Sequence, residues 1–105
     1  MKKPYRGNLL RDSASVNAWL AQKPSEEALE PELPIIDAHH HLLDWRSKGI
    51  RYLFEDLLVD IGRGHNICST VFLEAANMYR NTGPVSMRPV GEVEFAVGAA
   101  AMSAS

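Results

Sequence analysis

The apolar positions along the chain change their spacing several times, and each change falls near a proline or a glycine. Val16, Trp19 and Leu20 stand at i, i+3 and i+4, which predicts a short amphipathic helix. Ser13 or Ser15 can cap it, and Pro24 ends it. Residues 1–12 are polar, carry Pro4 and Gly7 and keep no sustained period, as in an extended arm. From Pro24 to Pro34 the chain reads PSEEALEPELP, with three prolines and four glutamates in eleven residues. That composition is too polar and too often interrupted to pack, so the segment reads as a linker. The run opening at Ile35 and Ile36 is β-branched and follows a proline tolerated at the first position of a strand, so residues 35–40 are expected as a buried strand.

After a polar turn at Lys48 and Gly49, Leu53, Leu57, Leu58 and Ile61 recur at i, i+4, i+5 and i+8, while Glu55, Asp56 and Asp60 fall elsewhere on the wheel. The spacing predicts a helix over 52–61, stopped by Gly62 and Gly64. A second strand is expected over 67–75, where CSTVFLEA is β-branched and aromatic. A Gly/Pro-bearing loop, NMYRNTGPVSMRPVG, leads into EVEFAVGAAAMSAS, whose alanines and early glutamates favour helix. Strand, helix, strand and helix in this order imply parallel pairing and an α/β fold. Residues 1–33 form the arm, short helix and linker, and residues 34–105 the body. Two strands are too few for a parallel sheet covered on both faces.

Composition narrows the function classes. The chain has 105 residues, 11 Lys+Arg against 13 Asp+Glu, and 46% hydrophobic residues, the profile of one globular domain. A net charge of −2 without a basic stripe leaves no electrostatic footprint for nucleic acid or an anionic membrane surface. One cysteine, Cys68, excludes an internal disulfide and a cysteine-rich zinc ribbon and fits a reducing, cytoplasmic setting. The longest apolar stretch, around Ala96 to Met102, is far short of the about 18 residues that suggest a membrane span.

The candidate chemistry sits at the end of the first strand. Asp37, His39 and His41 stand at i, i+2 and i+4, and alternation along a strand puts all three on one face, with Ala38 and His40 on the other. Two neutral imidazoles about 7 Å apart along a strand face can ligate one divalent ion if the chain curls, with a carboxylate orienting a ligand. Such an ion activates water and polarises a carbonyl. Two ordinary surface or core histidines would give the same tripeptide, and it is the place after an apolar strand that favours ligation.

The segment IIDAHHHL resembles the first-strand signature of the amidohydrolase superfamily, Asp-x-His-x-His after a hydrophobic strand, and especially its amidohydrolase-related, lactonase-like branch of metal-dependent hydrolases. RYLFEDLLVDIGRGHNICSTVFLEAANMYR and GPVSMRPVGEVEF are similar to the continuation of that branch. The resemblance implies the first two βα units of a (β/α)8 TIM barrel, a fold of about 250 residues with its sites at the C-terminal ends of the strands. It therefore implies an N-terminal piece that is inactive alone. It also implies His39 and His41 as ligands of a divalent ion, zinc first, with Asp37 supporting them. The implied activity is hydrolysis of a lactone or similar cyclic ester, with a small carbonyl compound as substrate. Metal-dependent decarboxylation is the alternative within the branch, and a catalytically inactive remnant or homo-oligomeric interaction piece is the alternative outside it.

Other residues stand near that end of the strands. Glu74 closes the second strand at the same mouth and is a candidate catalytic group; a solvated carboxylate is its ordinary role. Tyr79 and Arg80 in the following loop, with Arg88 beyond them, are candidates for substrate binding, since a guanidinium can grip a carboxylate bidentately. His65 precedes the second strand and lies at the wrong end. Cys68 reads as a small buried hydrophobe, and Trp45 as a packing residue or pocket wall.

Overall fold

In the computed structural model, residues 1–4, 7 and 9–104 are described. The expected arm falls partly on Tyr5, Arg6 and Asn8, outside those residues, and Ser105 also lies outside them; the described part of residues 1–12 forms no helix or strand. Helix α1 spans Ser13–Leu20, as its apolar spacing predicts. Its cap is Asp12 rather than a serine: the Ser15 amide donates to Oδ1 at 2.8 Å and the Ser15 hydroxyl to Oδ2 at 2.9 Å. Ser13 is thereby free to bond elsewhere. Its hydroxyl donates to the Arg51 carbonyl and accepts from the Arg51 amide, while its own amide donates to the Gly49 carbonyl.

Strand β1, Pro34–His40, and strand β4, Asn66–Phe72, pair in parallel. Between them come β2 at Leu43–Trp45, β3 at Ile50–Tyr52 and helix α2 at Phe54–Ile61, and helix α3 follows at Val90–Ser103. The linker carries no helix or strand before Pro34. At the start of α2 the Leu53 amide donates to the Asp56 carboxylate at 2.9 Å, and Gly62 closes its last turn. Tyr52 on β3 donates its hydroxyl to Asp60 on α2 at 2.6 Å. Burial first, and then that hydrogen bond, push the Tyr52 phenol well above its ordinary range.

The α/β class stands, but the barrel does not. The described residues form a small α/β domain with two separate two-stranded sheets and three helices, and no barrel units. One reason lies in residues 42–52. The turn at Lys48 and Gly49 belongs to an antiparallel hairpin, Leu43 opposite Tyr52 and Trp45 opposite Ile50, with Gly49 at φ 65° where glycine alone is unstrained. The other reason is that, among the described residues, β1 and β4 are hydrogen-bonded only to each other, so these residues form no curved succession of parallel strands.

The second strand also ends earlier than its composition predicts, at Phe72 rather than residue 75. Beyond it the chain turns through positive φ at Ala76 (52°) and Met78 (57°), and extended pairing cannot continue through such residues. The buried apolar residues are few: Leu42 and Leu57 lie between the parallel pair and the helices. A groove of about 500 Å³ separates the sheet from α2 and α3, lined among others by His40, Phe54, Ile61, Phe72 and Ala99.

Candidate metal site at the ends of the parallel strands

His39 and His41 meet. Their Nε2 atoms stand 3.1 Å apart with the rings edge to face. The Nδ1 atom of His41 lies 2.9 Å from the Leu73 carbonyl oxygen, one residue past β4. A carbonyl only accepts, so Nδ1 carries the proton and the Nε2 of neutral His41 presents a lone pair. The contact to His39 is then a hydrogen bond donated by His39 Nε2–H. Moving that proton to the other nitrogen of His39 would leave one lone pair on each Nε2. Two nitrogens on one tetrahedral zinc, each about 2.0–2.1 Å from it, stand about 3.3 Å apart. The observed separation fits that arrangement closely, and a histidine whose second nitrogen is held by a carbonyl is the usual form of a metal ligand.

Asp37 joins this group differently from the way strict alternation predicts. From Asp37 to His40, β1 advances three residues while β4 advances two, from Thr70 to Phe72. This bulge resets the period. Asp37 and His40 are consequently both half-buried, and His39 is exposed. Asp37 reaches the site through the backbone instead: its Oδ1 accepts the His39 amide at 3.1 Å, which fixes the turn that aims the His39 ring. His40 packs its ring on Phe72, with centroids 5.8 Å apart.

The remaining candidates are partnered locally. Glu74 follows Leu73 and accepts a hydrogen bond from the Tyr79 hydroxyl. That bond, more than burial, raises the Tyr79 phenol above its ordinary value, so the group stays a neutral donor. Arg80 is paired through Nε with Glu94 on α3, which takes one edge of its guanidinium. The Nε of Arg88 is buried without a partner among the described residues. His65 lies in the loop before β4, at the opposite end. Cys68 is exposed rather than buried, at the irregularity where Ile36 pairs with Ser69. Trp45 lies on β2 beneath the Lys48 ammonium, 5.5 Å from the ring centre.

Two residues that composition does not single out are buried beside this end of the strands. Glu92 on α3 is 2% exposed and Asn77 is 7% exposed. The Glu92 carboxylate accepts the amides of Ala75 and Asn77, both at 2.9 Å, and Asn77 Nδ2 donates to the Leu42 carbonyl at 3.2 Å. In the sequence Glu92 reads only as an acidic residue in the first turn of a helix.

Among the described residues, no cluster of three or more His, Cys, Asp and Glu is placed to hold a metal ion, and the fold brings together two imidazoles. No helix among them is long and apolar enough to cross a membrane. Comparison with protein-family models, with curated proteins and with solved structures finds no match to the chain.

Proposed function

We propose that the chain supplies His39 and His41 to a divalent-metal site, zinc first, of a cytoplasmic hydrolase acting on a lactone or similar cyclic ester. The observation that carries this reading is the convergence of the two Nε2 atoms at 3.1 Å, with His41 held by the Leu73 carbonyl. The resemblance of IIDAHHHL to the amidohydrolase-related signature points to the same two residues. Two protein ligands would leave the remaining positions of a divalent ion to water or substrate. Bound zinc supplies Lewis acidity toward a carbonyl and acidifies water.

The chain's own groups prepare the site. Leu73 fixes the tautomer of His41, and Asp37 fixes the turn at His39. Glu74 accepts the hydrogen bond of the Tyr79 hydroxyl, next to the residue that anchors His41. Of the two, the Tyr79 hydroxyl carries the proton that a departing ring oxygen would take up, and the Glu74 carboxylate orients it.

Equilibrium dialysis against zinc, followed by metal analysis, tests the ligands. The unaltered chain is expected to retain one zinc, and the His39→Ala/His41→Ala variant to lose it. Equal retention by both overturns the assignment. Hydrolytic use needs an open coordination position. Adding acetohydroxamate to the cobalt-substituted chain should therefore change its visible spectrum, and an unchanged spectrum rules out the hydrolytic role.

A further inference from the structure

We infer that Glu92 and Asn77 are positioning residues of the histidine pair, acting through the backbone beside it. The inference rests on the metal-site reading above and extends it to residues that touch no ligand. His41 is held from two directions. Its ring is fixed by the Leu73 carbonyl, and the chain immediately after it is fixed by the bond from Asn77 Nδ2 to the Leu42 carbonyl. Behind the Asn77 bond stands one carboxylate: Glu92 binds the Asn77 amide and the Ala75 amide, two residues beyond Leu73, while the Leu73 amide is itself held by the His40 carbonyl at 2.9 Å.

The loop that carries these amides does not hold itself. Ala76 and Met78 sit at φ 52° and 57°, a region disfavoured for residues with a Cβ and kept only where surroundings impose it. Two amides flanking Ala76 converge on Glu92, which itself is almost wholly out of water. Removing one carboxylate oxygen leaves a buried N–H without an acceptor. The loop then relaxes, and with it the Leu42 anchor beside His41. The result is a misaimed His41 rather than a lost one.

Zinc affinity separates positioning from plain stabilisation. Glu92→Gln and Asn77→Ala are expected to weaken zinc binding about tenfold or more, the usual effect of losing a group that orients a ligand. The cobalt spectrum should shift in both. Leu57→Ala removes a buried side chain of α2 and lowers stability without touching this loop, and should leave the zinc Kd within about twofold. Asn77→Ser, a milder change that loses the reach to Leu42, covers the case in which the other variants do not fold. Nitrogen chemical shifts of the His41 imidazole give a second readout: the unaltered chain should show the Nδ1–H tautomer that the Leu73 carbonyl requires, and the variants a weaker preference for it. Unchanged zinc Kd and imidazole shifts in the folded variants, or losses no larger than that of Leu57→Ala, overturn the inference. If the unaltered chain retains no zinc, the metal reading itself fails and this one falls with it.

Discussion

Two glycines of α3 look alike in the sequence and are opposite in the structure. A Cβ on Gly91 would stand 2.5 Å from both the Arg80 amide nitrogen and the Met78 carbonyl oxygen, whereas a Cβ on Gly98 meets nothing within 4 Å. Alanine in a helix interior is ordinarily better than glycine by roughly 0.5–1 kcal/mol. Gly98→Ala should therefore stabilise by about that amount. Gly91→Ala should destabilise by about 1–3 kcal/mol, because backbone atoms must move apart. Urea denaturation of the two variants checks this, and shifts of the same sign contradict it. At this scale the sequence shows residue types but not neighbours. The spacing of His39 and His41 pointed to a common strand face, but their contact depends on the bulge before His40 and on His41 lying beyond the end of β1. Glu92 gave no such signal: a carboxylate in the first turn of a helix is normally in water, and only the fold shows that two amides replace that water.

The longer periods were readable along the chain because they repeat. The stripes of α1 and α2 and the β-branched runs of β1 and β4 all appear close to their expected places. The three-residue strands of the hairpin were not, since Leu43–Trp45 and Ile50–Tyr52 are too short for alternation to register. The bulge between Asp37 and His40 was equally hidden, because a local insertion leaves no mark in composition. The cap of α1 supplies a prediction of its own. The Ser15 amide, and then the Ser15 hydroxyl, hold the Asp12 carboxyl below its usual 3.8. A lowered folded pKa means a contribution to stability that is present above about pH 4 and is lost as the pH falls through the folded value. Helix α1 should thus loosen in acid. Trp19, which lies 4.5 Å beneath the Lys23 ammonium, reports it by fluorescence. Asp12→Asn retains a capping oxygen without a titrating group, so the acid transition should vanish in that variant. A transition of the same midpoint in both proteins excludes Asp12 as its source.

At the scale of the whole molecule the surface is too large for the chain. It exposes 8789 Å², where a compact monomer of this size exposes about 5,800 Å². The radius of gyration is 17.1 Å against about 13 Å. Apolar side chains on the body contribute to this. Ile36 is 66% exposed, and Val71 and Leu73 are exposed on the neighbouring strand or just beyond it. Leu58 and Val59 on α2 and Val93 and Val97 on α3 are uncovered as well. A stable dimer needs only about 800 Å² from each partner, and both parallel strands keep an unpaired edge among the described residues, the usual template for another chain. The chain should therefore self-associate, with sedimentation velocity showing a weight-average mass that rises with concentration. Ile36→Lys places a charge on the bare face beside the open edge of β1 and should shift the distribution toward monomer. His39→Ala/His41→Ala should not, because the association is driven by apolar area and not by a shared ion. A single monomeric species at every concentration would show that the exposed faces do not meet. Dissociation by the histidine variant, and not by the lysine, would instead place the histidine pair at the centre of the contact.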